Sequence, residues 1–468
     1  MALHVLKFGG TSVGSVAAIR ATTEIVRVAR AEAELVLVVS AMSGVTDTLL
    51  RGAYTAASGD GTTFGQLATE LEARHTASVI ELVPDERERE TVTARIRGYL
   101  KEFRTLCHGI HVLGELTPRA LDMISSLGER LNAPQVAAAL RAAGVPASAV
   151  DAAEVIVTND RFGDATPDLA LTKIRADQRL RPLLERKLVP VVTGFLGATP
   201  AGVTTTLGRG GSDYSAAIIG AALEADEVVF YKEVDGVMTG DPQLVPDARV
   251  LPLLSYDEIS ELAYFGAKVL HPKAIQPLVD RGIAVRFKNT FNPSYPGSVI
   301  VPKATPVPGT IKAVTAIRGL SLVTVAGRGM LGVPGIAART FGAVAQVNAS
   351  VLMISQASSE QSICFALPTA ITPAVVAALR DELGSELERR DIDGVGVDDN
   401  TVILTVVGAG LRGTPGVAGR IFTVLGEAGI NIHAIALGSS ECSISLVVDA
   451  ADADNAVRAA HQLTVLAA

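Results

Sequence analysis

His4-Val-Leu-Lys-Phe-Gly-Gly-Thr-Ser-Val-Gly-Ser15 holds a strand, a glycine turn and the start of a helix in one short run. His4–Phe8 reads as a buried strand, Gly9–Ser12 as a turn, and Ser15 to Arg30 as a helix on which Val16, Ile19, Val26 and Ala29 share a face. The same handover recurs down the chain. Leu35–Val39 is the next strand and Ala41-Met-Ser-Gly44 its turn, and later strands are Val189–Thr193, Glu227–Tyr231 and Ala284–Lys288. Such alternation predicts an α/β fold, with a mostly parallel sheet covered by helices on both faces in an αβα sandwich.

At 468 residues the chain is too long for one ordinary core, and about 150 residues per domain suggests roughly three units. Apolar residues make up 48% and charged residues 19%, the balance of a packed globular protein rather than a disordered one. The longest apolar runs, such as Glu34-Leu-Val-Leu-Val-Val-Ser40, have strand length; none approaches the ~18 apolar residues of a membrane span. Met1-Ala-Leu-His runs into the first strand without a leader pattern. Cys107, Cys364 and Cys442 are too few and too scattered for a disulfide framework or a zinc site. The expectation is a reduced, cytoplasmic compartment with no membrane partner, and a net charge of −8 argues against a nucleic-acid partner.

Residues 70–130 carry many charges, as in Asp85-Glu-Arg-Glu-Arg-Glu90, and read as a solvated helical insertion in a first unit spanning 1–295. A Pro/Gly-rich linker over 296–312 follows, and then an internal repeat appears. Gly327-Arg-Gly-Met-Leu-Gly-Val-Pro-Gly335 parallels Gly408-Ala-Gly-Leu-Arg-Gly-Thr-Pro-Gly416, and the block ending at Glu360 parallels that ending at Glu441. Both offsets are 81 residues (408 − 327 and 441 − 360), so one strand–helix–strand module is present twice, over 313–390 and 391–468. Each copy satisfies G-x-G-x-x-G, which invites a dinucleotide site. That site also needs an acid at the end of the second strand, and Asn431-Ile-His-Ala-Ile-Ala-Leu437 has none. The loops suit a small carboxylate instead. With Gly429-Ile-Asn-Ile432 entering the second strand and a Ser-Ser-Glu hairpin closing each copy, the repeats resemble ACT domains, amino-acid-sensing modules of α+β ferredoxin-like fold. That likeness allows strands to be exchanged between the two copies.

Two glycine turns in the first unit carry cations. Lys7 precedes Gly9-Gly-Thr-Ser12, where free N–H groups and two hydroxyls at a helix start attract phosphate. Gly208-Arg-Gly-Gly-Ser-Asp213 repeats the arrangement, with Arg209 as the cation and Asp213 as the helix N-cap. A Walker pattern occurs nowhere. Phosphoryl transfer asks a protein mainly to position two reactants and neutralise the moving group, and Lys7 with Arg209 fit as the two clamps.

Lys7-Phe-Gly-Gly-Thr-Ser-Val13, Ser40-Ala-Met-Ser-Gly-Val-Thr46, Gly128-Glu129, Thr158-Asn-Asp-Arg-Phe-Gly163, Thr204 through Tyr214 and Phe265-Gly-Ala-Lys-Val-Leu-His-Pro272 occur in that order, followed by the twin modules. The whole set closely resembles the aspartate kinases, of the amino acid kinase fold. The resemblance implies transfer of the γ-phosphoryl group of ATP to the β-carboxylate of L-aspartate, giving 4-phospho-L-aspartate, the entry step to lysine, threonine and methionine. An aspartate carboxylate is already ionised at neutral pH, so it needs aiming rather than a base.

By the same resemblance, Lys7 and Arg209 would stabilise the transferred group, and Asp213 would orient Lys7. Glu129 would pair with the substrate ammonium, and Arg209 would also grip a substrate carboxylate. Ser40, Thr46, Phe195, Thr206 and Ser212 would line the aspartate pocket. The nucleotide would meet Phe8, Gly9, Gly10, Gly210, Gly211, Tyr231, Lys232, Glu233, Met238, Asp241, Gln243 and Lys268, with Mg²⁺ carried on its phosphates and no protein metal-ligand set. One segment departs from the family pattern. Many members have Trp-Thr-Asp-Val…Tyr-Thr-Thr-Asp-Pro-Arg where this chain has Tyr231-Lys-Glu-Val…Met238-Thr-Gly-Asp-Pro-Gln243, so altered ATP contacts are expected on that side.

The twin modules imply feedback inhibition by an end-product amino acid, threonine or lysine, bound between the modules of a homodimer or larger assembly. Ile354-Ser-Gln-Ala-Ser-Ser-Glu360 looks more like threonine-sensitive members. Candidate effector contacts are Met330, Leu331, Gly332, Gln346, Asn348, Ser350, Gln356 and Asn431. Two other readings stay open: another amino acid kinase, acting on glutamate, acetylglutamate or UMP, and a non-catalytic amino-acid sensor.

Overall fold

The computed structural model describes residues 1–266, 272–303, 309–330, 334–356, 361–411, 413–437 and 442–464. The chain divides into two compact units, each built on its own large sheet. The first comprises Met1–Val237, Pro252–Tyr256 and the described part of 269–304.

Its strands are β1 (Ala2–Phe8), β2 (Ala33–Val39), β3 (Ala147–Val150), β4 (Val189–Thr193), β5 (Leu196–Ala198), β6 (Thr204–Thr206), β7 (Glu227–Lys232), β8 (Leu253–Ser255), β9 (Ala284–Asn289) and β10 (Ser298–Val301). Eight of them form one sheet in the order β3-β4-β2-β1-β7-β9-β10-β8, while β5 and β6 make a separate hairpin. Every pairing in the large sheet is parallel except β9 with β10. Parallel strands with both faces covered must be apolar throughout, and from Leu35 to Val39 every residue of β2 is buried. Lys7 lies near the end of the central strand, opposite Val38 of β2 and Phe230 of β7.

The helix Val16–Ala29 begins where the sequence places it, with the Ser15 side chain accepting from the Ala18 N–H at 3.2 Å. Two expectations need correction. The charged stretch folds into the helices Thr63–Leu82, Glu86–Leu113 and Pro118–Ala142, but they are not a solvated appendage. Val92, Ile96, Leu100 and Phe103, spaced three and four apart, are buried in the same core as β1 and β2, and the charges occupy only the outer face. Nor does a linker begin at 296, because alternate burial of Ser298 and Ile300 makes this segment strand β10 of the sheet.

The second unit takes Met238–Leu251, the described part of 257–268, and the described residues after 304. Its strands are β11 (Thr310–Ala326), β12 (Met353–Gln356), β13 (Ser362–Pro368), β14 (Gly394–Ala409), β15 (Ala434–Leu437) and β16 (Ser443–Asp449), in the order β12-β13-β11-β14-β16-β15. The two long strands pair along their whole length, Thr310 opposite Ala409 and Ala326 opposite Gly394. Only the second half of β11 (Leu320–Ala326) meets β13, and only Thr401–Val407 of β14 meets β16. Each repeat therefore completes its sheet with half a strand from the other. Leu320, Leu322, Met353, Ile403 and Val447 form a core common to both. The segment after β7 is held here too, by Thr239 Oγ1 to His461 Nε2 at 2.8 Å.

The paired G-x-G-x-x-G motifs have a packing explanation. A Cβ at Gly327 would lie 2.3 Å from the Asp391 carbonyl oxygen, and one at Gly408 would lie 1.9 Å from that of Thr310. The helices that follow start later, at Ile336 and Val417, behind Gly335 and Gly416 in left-handed conformation. Among the described residues no helix is long and apolar enough to cross a membrane.

Candidate functional site

At the carboxyl ends of β1 and β7, two lysines meet one carboxylate. Lys7 Nζ lies 2.6 Å from Asp213 Oδ1, and Lys232 Nζ lies 2.8 Å from Oδ2. Lys7 and Asp213 are buried, whereas the Lys232 side chain keeps 22% of its surface. Burial lowers the Lys7 ammonium below the usual lysine range, Asp213 resists that shift, and the charge of Lys232 adds to it. For Asp213 burial works upward, but the two ammonium groups outweigh it and hold the carboxyl below its ordinary value.

Asp213 is not the N-cap expected of it. The helix Gly211–Leu223 starts one turn earlier, behind Gly210 at φ 70°, a left-handed conformation that glycine supplies without steric cost. Asp213 thus falls inside the first turn, where its negative charge favours the helix dipole and its side chain is free to reach the lysines. The first glycine turn also differs from expectation. Its hydroxyls are engaged, Thr11 Oγ1 donating to Glu233 Oε2 at 2.5 Å and Ser12 Oγ lying 2.7 Å from Thr290 Oγ1. What the turn can offer an anion is backbone N–H together with the lysines.

Glu129 lies in the buried helix Pro118–Ala142 and is 3% exposed. Burial pushes its carboxyl up to about 8, against the opposing pull of the Ala41 backbone, Ser212 and the Lys7 charge. Ser212 Oγ donates to Oε1 at 3.4 Å, and Oε2 is buried without a hydrogen-bond partner among the described residues. A buried carboxylate oxygen in that position is suited to an incoming ammonium. Gly128 brings Thr46 to the same place, since a Cβ there would sit 3.0 Å from Thr46 Oγ1. Phe195, at φ 72°, lies beside Gly211 and donates its N–H to Ser215 Oγ at 2.9 Å. Such strain in a non-glycine residue is common at ligand sites. Ser40 caps the end of β2 through its N–H to Phe8 O at 3.2 Å.

Some expected residues are placed otherwise. Arg209 is exposed between left-handed Gly208 and Gly210 and forms no ion pair among the described residues, unlike Lys7. The Phe8 and Tyr231 rings are buried and stacked on each other at 4.6 Å, leaving only their backbone to a nucleotide. Met238, Asp241 and Gln243 belong to the second unit. Lys268, Leu331 and Gly332 lie outside the described residues. Met330 is 3% exposed within the core of the first repeat, so its side chain serves packing, while Gln346, Asn348, Ser350, Gln356 and Asn431 are exposed.

Sequence reasoning missed two supports on the Glu129 helix. Asp122 accepts from the Thr206 N–H (2.8 Å), Thr206 Oγ1 (2.7 Å) and the Gly163 N–H (3.0 Å). Asn132 Nδ2 donates to Ser40 O at 2.6 Å. The signal was present as a polar stripe through Asp122, Ser125, Glu129 and Asn132 at three- and four-residue spacing. Two ammonium groups beside a glycine turn fit a polyphosphate, and the Glu129 carboxyl fits an amino acid's ammonium. As for metals, the three clustered ligand-type residues among the described residues, Asp398, His433 and Asp449, belong to the second unit.

Comparison with known proteins places the chain in a family. The amino acid kinase family matches residues 2–289, and an ACT domain matches residues 323–383 and 404–463. A bifunctional aspartokinase/homoserine dehydrogenase 1 of Arabidopsis thaliana is 37% identical over 98% of this chain and 50% of its own length. Aspartokinase 1 of the same plant is 34% identical over 98% of this chain and 79% of its own. The crystal structure of E. coli aspartokinase III with aspartate and ADP is 30% identical, covers 98% of this chain and 99% of its own, and superposes with a TM-score of 0.81. In complex with lysine and aspartate the same enzyme gives 0.77. The chain spans about half the length of the bifunctional relatives it matches.

Proposed function

The chain belongs to the aspartokinases of the amino acid kinase family, and we propose that it transfers the γ-phosphoryl group of ATP to the β-carboxylate of L-aspartate. The observation that carries this reading is the arrangement of Lys7, Asp213 and the partly exposed Lys232 beside the glycine turn, with the Glu129 oxygen that has no hydrogen-bond partner among the described residues. Lys7 neutralises charge on the group in transfer, and Asp213 holds its ammonium in place. Glu129 takes the substrate ammonium, and Arg209, exposed between two left-handed glycines, grips a substrate carboxylate. Thr46, Phe195, Thr206 and Ser212 shape the pocket between them, with Ser40 at its edge. The nucleophile is the ionised carboxylate itself, so positioning supplies the rate. Mg²⁺, bound to the nucleotide phosphates, contributes charge neutralisation there.

Catalysis is assigned to the stretch ending near residue 295, and effector binding to the two repeats after it. The effector is an end-product amino acid, threonine in preference to lysine, and the working assembly is a homodimer or larger, joined through the repeats. A coupled assay offering aspartate, glutamate and acetylglutamate in turn tests the assignment, with aspartate alone expected to turn over. Lys7→Ala should lower kcat at least ~100-fold, the usual cost of losing one charge-stabilising donor, while calorimetric binding of the effector persists. Turnover of another acceptor, or undiminished turnover without Lys7, overturns the reading.

A further inference from the structure

Lys232 stands where many aspartokinases have threonine, and its ammonium is not idle. It reaches the second oxygen of Asp213 at 2.8 Å, while Lys7 occupies the first at 2.6 Å. Two like charges therefore sit a few ångströms apart, sharing one counter-ion in a largely dehydrated place. That arrangement is costly, because each ammonium disfavours the charged form of the other. It becomes favourable once an anion of higher charge arrives to satisfy both.

Position favours the same conclusion. Lys232 is the last residue of β7, just beyond Tyr231, which pairs with Phe8 at the start of the glycine turn. The next residue, Glu233, ties that turn down through Thr11. Ligands of open parallel sheets bind outside the carboxyl ends of the strands, and Lys232 lies on that edge. Its four-carbon stem and partial exposure let the ammonium leave Asp213, whereas Lys7 is enclosed. Arg209 makes no comparable approach to the carboxylate.

We propose that Lys232 is a second phosphate-binding cation of this site, held on Asp213 beside Lys7 and delivered with it to the terminal phosphates of the nucleotide. The inference rests on the kinase reading above. If Lys232 served only to neutralise Asp213, its loss would affect stability but not the difference in affinity between a polyphosphate and a bare nucleoside.

Calorimetric titration of the full chain with adenosine, and with a non-hydrolysable ATP analogue, separates these cases. In Lys232→Met the analogue should bind at least ~10-fold more weakly, the loss of one charge-assisted hydrogen bond. Adenosine should stay within twofold of the unsubstituted chain, and Lys232→Arg should recover part of the loss. A second measurement needs no variant: acylation of Lys232 in the unsubstituted chain, read by peptide mass spectrometry, should be blocked by the analogue and not by adenosine. Analogue affinity within twofold in Lys232→Met, a parallel loss for adenosine, or labelling indifferent to the analogue overturns the proposal. Lys7→Ala serves as the reference: if it also leaves the analogue's affinity unchanged, the kinase reading of the site falls, whereas a loss there with none in Lys232→Met removes only this inference.

Discussion

On the proposed reading, Glu129 would make substrate binding a proton-releasing event. Its carboxyl, 3% exposed, is raised to about 8 by burial, so roughly one molecule in eleven carries the charge at pH 7 and about half at pH 8. In that reading only the ionised form would pair with the ammonium of aspartate. Apparent affinity scales with the competent fraction, and the Michaelis constant for aspartate should fall about ninefold from pH 6 to 7 and about fivefold from pH 7 to 8. Close to one proton should leave the protein per aspartate bound at pH 7, measurable by calorimetry in two buffers of different ionisation enthalpy.

Glu129→Gln keeps the size and one acceptor but cannot ionise. Its Michaelis constant at pH 8 should rise by about 2 kcal/mol, roughly thirtyfold, the scale of a hydrogen bond to a charged group. Between pH 6 and 8 it should be nearly flat. A flat profile in the unsubstituted chain would refute the argument, and so would an equally steep one in the Gln variant.

Two further predictions concern stability. Gly327→Ala forces a Cβ to 2.3 Å from the Asp391 carbonyl and should destabilise the second unit by about 1–3 kcal/mol in urea unfolding followed by circular dichroism; an unchanged midpoint would disprove the close-packing account of that motif. His75 is buried with Nδ1 3.2 Å from Gln135 Oε1, and burial lowers it to about 4. The unfolded chain takes up this proton near the ordinary value of 6.5 and the folded chain does not, so stability is lost as pH falls from about 6.5 to 4, by about 3 kcal/mol in all. Calorimetric melting of His75→Gln at pH 7 and pH 4.5 should show a shallower decline than the unsubstituted chain, and an identical decline would reject His75 as a source of acid sensitivity.

Local signals were legible in the sequence because their causes are local. The strand–turn–helix of residues 4–30 follows from side-chain period and from Ser15 as a cap, and the 81-residue repeat shows directly in the residues. Asp213 was misplaced by one helical turn, since Gly211 and Ser212 can be either loop or helix and only the left-handed Gly210 decides. Its partnership with Lys7 and Lys232 depends on β1 and β7 lying side by side, a non-local pairing that no window of sequence contains. The exchange of half-strands between β11 and β14 is non-local in the same way, and only the likeness to ACT domains allowed for it. The charged helices misled through composition, because Glu86–Leu113 hides its apolar residues at every third or fourth position among many charges.

The charge balance of the site explains why these parts occur together. With both lysines charged, two cations share one anion, Asp213, while Glu129, raised to about 8 by burial, is mostly protonated at neutral pH. The chain as a whole carries −8, so the region is a local positive focus on an acidic molecule, a distribution that draws in a polyphosphate. Were Glu129 already ionised, that focus would vanish before any ligand arrived. Were Asp213 neutral, the repulsion of Lys232 would push the Lys7 ammonium further down with nothing opposing it from that carboxylate. Asp213, held low by the two lysines, thus keeps their charges together, and on the proposed reading the ammonium of the second substrate would favour ionised Glu129, whose proton passes to solvent.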